Sequence, residues 1–250
     1  MIKAVFFDLD NTLYDFSTAH QLAWKKLEQY CEQELSVSSE DMNREMKKEM
    51  DRCVAYLGID NSAIHNRHIR YQKVLQQLGK PIFPYADRMY HAYWDTVLDH
   101  VHLECGADKL LGKLRERGIR MAVGTNMTAM MQYKKIERLG IGSFFDDVIS
   151  SEEAGCEKPN PHFFLYCADR LGLAPGECAF IGDSLKTDVQ GAAGAGMHAF
   201  LYRPNSARER VMTGSLTLDP GGESLPASFP YETLTDYNDL SENLSILLGA

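Results

Sequence analysis

The stretch that decides the fold is residues 3–13, KAVFFDLDNTL, close to the beginning of the chain. The apolar run from Lys3 to Phe7 is of the kind that is buried on both faces of a parallel sheet, and we predict a strand there. Asp8 and Asp10 follow where that strand should end. Open α/β sheets bind ligands at the carboxyl ends of their strands, so both acids are candidates for catalysis. The alternative is that they cap backbone amides in a turn.

Alternating strand and helix patterns follow in the second half of the chain. Further apolar runs are Arg120 to Gly124, Phe144 to Ile149, Cys178 to Gly182 and Met197 to Tyr202. Helical patterns are Ala107 to Arg117, Thr128 to Leu139, His162 to Leu171 and Thr187 to Ala195. This alternation predicts an α/β fold with a Rossmann-like, three-layer core, in which helices cover both faces of a parallel sheet.

Residues 16–101 interrupt the alternation, because they have helical periodicity and almost no strand-like run. The candidate helices are Thr18 to Glu34, Ser39 to Leu57, Ser62 to Leu78 and Tyr85 to Leu98. We therefore predict an α-helical cap domain at 16–101, inserted into a discontinuous core of 1–15 and 102–250. Residues 204–230, rich in Gly, Pro, Ser and Thr, are predicted to form a flexible loop within that core. A short strand and a terminal helix should follow from Tyr231 to Leu248.

Composition narrows the class of partners. The formal net charge of −9 argues against nucleic acid polymers and anionic membranes, which would repel the chain. No apolar run reaches the length of a membrane span, and the N-terminus lacks the pattern of a signal peptide. The six scattered cysteines indicate neither a zinc site nor a disulfide framework. We expect a cytoplasmic protein, a monomer or a homodimer.

Polar residues also stand at the ends of three other predicted strands: Thr125 with Asn126, then Lys158, then Asp183 with Asp188. Each has an ordinary structural alternative, namely a helix N-cap, a solvated lysine, or acids that favour a helix N-terminus. The carboxyl ends of parallel strands meet at one edge of the sheet, however. The shared position of all these residues favours a common site, in which the lysine would offset crowded carboxylates.

In this order the motifs resemble those of the haloacid dehalogenase-like hydrolase superfamily. The matching positions are D-x-D-x-T at Asp8, Asp10 and Thr12, the threonine Thr125, the Lys-Pro at Lys158, and G-D-x4-D at Asp183 and Asp188. The resemblance implies the phosphatase branch with an α-helical first-class cap. Many relatives have a glycine after Thr-Asn, whereas this chain has Met127, which could narrow the phosphate-binding turn or line the substrate pocket.

The resemblance also implies a cofactor and a ligand set. Several acids around one point repel each other, and a hard divalent cation with oxygen ligands, best Mg²⁺, would relieve that repulsion. Its ligands would be the carboxylates of Asp8 and Asp183 and the backbone carbonyl of Asp10. Asp188 would lie beside the ion and orient either Lys158 or a metal-bound water.

The implied reaction is hydrolysis of a phosphomonoester. Asp8 would be the nucleophile and form an aspartyl phosphate, and Asp10 would act as general acid and then as general base. The phosphoryl oxygens would be held by Thr125, the backbone of Asn126, and Lys158.

The predicted substrate is a small phosphorylated metabolite, either a nucleoside monophosphate or a sugar phosphate. Candidate cap contacts are Phe16, His20 and Trp24, although a place in the cap core is favoured for Trp24 and a place at the surface for His20. A phosphomutase of the same superfamily and a non-catalytic binding protein are the alternatives. A true dehalogenase is disfavoured, because its leaving halide would need no second acid such as Asp10.

Overall fold

The structure is a computed structural model that describes residues 1–204 and 230–248. The loop predicted at 204–230 therefore lies, except for its two end residues, outside the described part of the chain.

Six parallel strands form one sheet in the order β3-β2-β1-β4-β5-β6. The strands are β1 (Ala4–Phe7), β2 (Arg120–Thr125), β3 (Asp147–Ser150), β4 (Cys178–Gly182), β5 (His198–Tyr202) and β6 (Tyr231–Leu234). In the register of the sheet, Phe7 at the end of β1 is opposite Val123 of β2 and Ile181 of β4. The residues that follow these three strands consequently emerge side by side at one edge.

Helices cover both faces of the sheet, as the alternation predicts. They are α5 (Ala107–Glu116), α6 (Ala129–Leu139), α7 (Ser151–Ala154), α8 (Pro161–Arg170), α9 (Gln190–Gly194) and α10 (Leu240–Leu248). Alternate residues of β1 belong to different apolar clusters: Val5 and Phe7 pack with residues of α5, α6 and α10, whereas Ala4 and Phe6 pack with α8 and α9. This division across one strand confirms the three-layer core.

Four helices stand between β1 and the core helix α5, which confirms the predicted helical insertion. They are α1 (Phe16–Leu35), α2 (Ser39–Leu57), α3 (Arg67–Gln77) and α4 (Tyr85–Asp99). The pattern from Ser62 to Leu78 is not one helix: a 3-10 turn at Ser62–His65 precedes α3. The break arises because Asn66 has an extended backbone and its side chain accepts from the amide of Ile69, which caps α3.

Two core elements also differ from the sequence predictions. Strand β3 begins at Asp147 instead of Phe144, since Gly142–Phe144 form a 3-10 turn. The helix predicted at Thr187 to Ala195 opens with a π-helical turn at Leu185–Val189 and continues as α9.

Over the described residues, none of the helices combines the length and the apolar character needed to cross a membrane.

Candidate active site

A small cavity of about 190 Å³ lies at the carboxyl edge of the sheet. Its lining includes all the residues predicted for catalysis, phosphate binding and the metal: Asp8, Asp10, Thr125, Asn126, Lys158, Asp183 and Asp188. The register of β1, β2 and β4 produces this grouping, because each of these strands delivers its polar residues at the same level.

Lys158 is at the centre of the cavity's charges and is only 5% exposed. Its Nζ donates to Asp8 Oδ1 at 2.7 Å, to Asp188 Oδ1 at 2.6 Å and to the carbonyl oxygen of Gly124 at 3.1 Å. Burial alone would lower the pKa of the ammonium, but Asp188 and Asp8 raise it above its ordinary value. Lys158 is therefore a permanent cation that holds two carboxylates in place.

The carboxylates of Asp8, Asp183 and Asp188 form a cluster in which one oxygen of each lies within 4.8 Å of the others. Burial raises the pKa of Asp8 to about 7, with Asp188 and Asp10 adding to the rise and Lys158 opposing it. Burial, with Asp188 and Asp8 adding to the rise, also raises the pKa of Asp183 well above its ordinary value. Three carboxylates face one ammonium, so mutual repulsion adds to burial in raising these pKa values, and a bound cation would relieve it. This all-oxygen, carboxylate donor set fits a hard divalent cation such as Mg²⁺.

The π-helical turn at Leu185–Val189 places Asp188 under the end of β4. The backbone amide of Ser184 donates to Asp188 Oδ2 at 3.0 Å, while Oδ1 accepts from Lys158. A Cβ atom on Gly182 would overlap the carboxylate of Asp188, so only glycine allows this approach. The glycine of the G-D-x4-D motif is thus explained by the space that the carboxylate of Asp188 needs.

Thr125 and Asn126 are fixed by their neighbours at the end of β2. Thr125 Oγ1 is buried and accepts from Gln132 Nε2 at 2.6 Å, which leaves the threonine hydroxyl hydrogen available for another acceptor. The Asn126 side chain pairs with the backbone of Lys158, accepting from its amide at 2.8 Å and donating to its carbonyl at 3.1 Å. Met127, in contrast to the expected pocket contact, is buried within the main apolar cluster.

Lys135 is a site residue that the sequence interpretation missed. It lies on α6, is fully buried, and its Nζ donates to both oxygens of Asp10, at 2.7 and 2.8 Å. The hydroxyl of Tyr14 also donates to Asp10 Oδ1, at 2.6 Å. Burial lowers the pKa of Lys135, and Asp10 opposes that shift. The sequence held one signal for the burial of Lys135: this lysine lies on the same face of α6 as the apolar residues Met131 and Ile136.

A larger cavity of about 930 Å³ adjoins the first and has walls from both the core and the inserted helices. Phe16 and His20 line it, whereas Trp24 is half-buried and its Nε1 donates to Asn43. His20 is half-buried rather than at the surface, because it stacks on Phe16 and its Nδ1 lies 2.7 Å from the hydroxyl of Tyr93.

The loop before α3 contacts the loop that carries Lys158. The carboxylate of Asp60 accepts from the amide of Glu157 at 2.5 Å and from Asn160 Nδ2 at 2.7 Å. His65 Nε2 lies 3.2 Å from Glu157 Oε2. These bonds join the insertion to the catalytic edge of the sheet.

Comparisons with known proteins agree with this arrangement. The family model of the haloacid dehalogenase-like hydrolases matches residues 2–196. The chain is 30% identical to a ribulose-1,5-bisphosphate 5-phosphatase of Halopiger xanaduensis, over 96% of this chain and 99% of that protein. It is 36% identical to a glyceraldehyde 3-phosphate phosphatase of Methanopyrus kandleri, over 79% of this chain and 82% of that protein.

The fold also matches solved structures. A HAD hydrolase from Bacillus subtilis, whose crystal structure is bound to magnesium, superposes with a TM-score of 0.67 at 23% identity, over 98% of this chain and 99% of that one. At this identity the likeness shows a shared fold.

Proposed function

The chain belongs to the haloacid dehalogenase-like hydrolases, and from this we propose that it is a Mg²⁺-dependent phosphatase that hydrolyses a small sugar phosphate. The observation that carries the proposal is the buried Lys158, which joins Asp8 to Asp188 beside Asp183. Such an ion-paired carboxylate at a strand end is suited to nucleophilic attack.

Asp8 is the proposed nucleophile. Its carboxylate oxygen forms a bond to phosphorus while the bond from phosphorus to the ester oxygen breaks, and Asp10 gives its proton to the departing alkoxide. In the second step a water oxygen attacks the aspartyl phosphate, Asp10 takes a proton from that water, and the Asp8 carboxylate leaves. The two steps return both residues to their starting states and release alcohol and phosphate.

Thr125, Lys158 and the backbone amide of Asn126 would donate hydrogen bonds to the phosphoryl oxygens and so stabilise the negative charge on them. The hydroxyl hydrogen of Thr125 is free to donate, because its oxygen already accepts from Gln132. Lys158 has three acceptors for its three donors, so it reaches a phosphoryl oxygen only by exchanging one bond. The longest of these, 3.1 Å to Gly124, is the one that we expect to be exchanged.

The proposed metal ligands are the carboxylates of Asp8 and Asp183, together with the backbone carbonyl of Asp10. When bound, Mg²⁺ would supply positive charge against the acids and the phosphoryl group. Both oxygens of Asp188 already have donors, one in Lys158 and one in the amide of Ser184. We propose that Asp188 holds Lys158 in place beside the ion.

The substrate class follows from the larger cavity and from the relatives, which act on ribulose-1,5-bisphosphate and glyceraldehyde 3-phosphate. The wall contains groups that can bond hydroxyls, among them Ser17, Gln21, Asn160 and Thr187. Its volume, about 930 Å³, is ample for a sugar phosphate. We further propose that residues 16–101 act as the cap domain over a core of 1–15 and 102–250.

The test is phosphate release from a panel of sugar phosphates and nucleoside monophosphates, with Mg²⁺ or with EDTA. Wild type, Asp8→Asn and the control Asp51→Asn, which alters an exposed acid of α2, are compared. We expect Mg²⁺-dependent turnover in wild type and the control and none in Asp8→Asn. Turnover that survives in Asp8→Asn contradicts the mechanism. An isomerised product without phosphate release would indicate a mutase, and no reaction of any kind would indicate a binding protein.

A further inference from the structure

We propose that Lys135 is a positioning residue that aims the carboxylate of Asp10 at the leaving oxygen of the substrate. This inference rests on the proposed phosphatase reaction, in which Asp10 is the proton donor.

The hydrogen bonds distinguish the two oxygens of Asp10. Oδ1 accepts from Tyr14 at 2.6 Å and from Lys135 at 2.7 Å, which uses both of its lone pairs. Within the described residues, Oδ2 accepts only from Lys135, at 2.8 Å. Oδ2 therefore retains a lone pair on which a proton can be carried. Because Asp10 also lines the small cavity, Oδ2 is the atom that we assign to the proton transfer.

Lys135 is poorly explained as a purely structural residue. Its side chain has no exposed surface, and an ammonium without a partner is costly to bury. Asp10 is the only carboxylate partner that the described residues give it. The pair thus ties the buried ammonium of Lys135 to Asp10, a residue that lines the small cavity.

Aromatic rings hold Lys135 from the side of the insertion. Its Nζ lies 5.0 Å from the ring centre of Phe16, at the start of α1, and 5.4 Å from that of Trp94 on α4. The ring of Tyr14 is 5.7 Å away. Distances of this size allow cation–π attraction. Lys135 is consequently held between the core helix α6 and the inserted helices, and it transmits that position to Asp10.

The function of this positioning is to deliver the proton as the ester bond breaks. As the Asp8 oxygen bonds to phosphorus, the departing alkoxide takes the proton from Asp10 Oδ2. An alkoxide from a sugar is a poor leaving group without that proton, whereas p-nitrophenolate leaves readily unprotonated. Loss of Lys135 should therefore impair the two kinds of ester unequally.

The experiment compares kcat/KM, which reports on formation of the phosphoenzyme, for the best sugar phosphate and for p-nitrophenyl phosphate. The variants are Lys135→Met and the control Lys134→Met, which alters the exposed neighbour on the same helix. For Lys135→Met we expect a loss of about 10²-fold on the sugar phosphate, as for a misplaced general acid, and little change on p-nitrophenyl phosphate. An equal loss on both substrates would show a general disturbance of the pocket and overturn the proposal.

A double-variant comparison separates loss of the proton transfer from other effects of the substitution on kcat/KM. In the background of Asp10→Asn, Lys135→Met should lower kcat/KM for the sugar phosphate no further, since both changes remove the same proton transfer. Additive losses would contradict the proposal. If Lys135→Met does not give a folded protein, Lys135→Gln takes its place in both comparisons: a neutral amide lacks the charge of the ammonium, so the loss should again be larger on the sugar phosphate, and equal losses on both substrates would overturn the proposal. Absence of Mg²⁺-dependent turnover in wild type would instead refute the proposed function, and the role of Lys135 with it.

Discussion

The ammonium nitrogen of Lys158 lies 2.7 Å from Oδ1 of Asp8, a residue 150 positions earlier in the chain. Both side chains are nearly inaccessible to solvent, at 3% and 9% exposure. An ion pair at this depth persists because each member neutralises the other, and Asp188 is a second carboxylate partner of the ammonium, at 2.6 Å. The contact sets the charge and the orientation of the proposed nucleophile.

Replacement of Lys158 by methionine should therefore lower both activity and stability. We expect kcat to fall by about 10²–10³-fold, as when a charge-stabilising donor is removed from an active site. Without the ammonium, three carboxylates repel each other, so thermal denaturation in EDTA should show a lower midpoint. Added Mg²⁺ should recover more of that midpoint in Lys158→Met than in wild type. Lys25→Met, at an exposed position of α1, is the control and should match wild type in both assays.

His20 should make the protein sensitive to acid. Arg67 donates to the hydroxyl of Tyr93 at 2.8 Å, so that hydroxyl gives its own hydrogen to His20 Nδ1, which must stay unprotonated. Burial, aided by Arg67, lowers the pKa of His20 from 6.5 to about 4. A lowered histidine pKa means that the unfolded chain binds the proton first, so stability is lost as pH falls from 6.5 towards 4.

The test is the melting temperature of wild type and His20→Asn across that pH range. The variant cannot be protonated at this position, so its melting temperature should decline less than that of wild type between pH 6.5 and 4. His102→Asn, at an exposed position, should follow the wild-type curve. Parallel curves for wild type and His20→Asn would refute this role of His20.

Asp60 should govern substrate binding through the contact between the insertion and the loop of Lys158. Asp60→Ala removes the acceptor for the Glu157 amide and for Asn160 Nδ2. Because the cavity wall is built across this contact, we expect KM for the sugar phosphate to rise while kcat changes less. Steady-state kinetics beside Asp51→Ala provides the measurement. A fall in kcat at constant KM would assign Asp60 to the chemical step instead.

Lys186 and Arg203 should favour substrates with a second anionic group. Both are exposed, both line the larger cavity, and neither has a carboxylate within ion-pair distance among residues 1–204 and 230–248. Arg203→Gln should raise KM for ribulose-1,5-bisphosphate by about 10-fold, because the substitution removes one charge-assisted hydrogen bond to the substrate. Its effect on glyceraldehyde 3-phosphate should be smaller. Arg117→Gln is the exposed control, and equal effects on both substrates would argue against the second anionic contact.

The grouping of the site was predictable from sequence because it depends on strand ends. Asp8 and Asp183 follow apolar runs directly, and parallel strands in register must deliver them to the same edge. The π-helical turn that brings Asp188 beneath β4 has no comparable signal, since its sequence is compatible with an ordinary helix start.

Lys135 could not be assigned from the sequence for a related reason. A lysine in an amphipathic helix is normally solvated, and its burial here depends on Asp10, which lies 125 residues away in the chain. The start of β3 was misplaced because apolar Phe144 and Phe145 resemble a strand, although they pack against the main cluster from a turn. The burial of Lys135 and the start of β3 both depend on contacts between segments that are distant in the chain, which a local sequence pattern does not show.

The proposed reaction requires covalent phosphorylation of Asp8, which acid quenching within milliseconds of mixing enzyme with its sugar phosphate would trap. Peptide mass spectrometry of the quenched wild-type protein should find a phosphoryl group on Asp8, labile to hydroxylamine, and none on Asp8→Asn. Turnover by wild type with no phosphoryl group on Asp8 at any quench time, together with turnover by Asp8→Asn, would contradict the account.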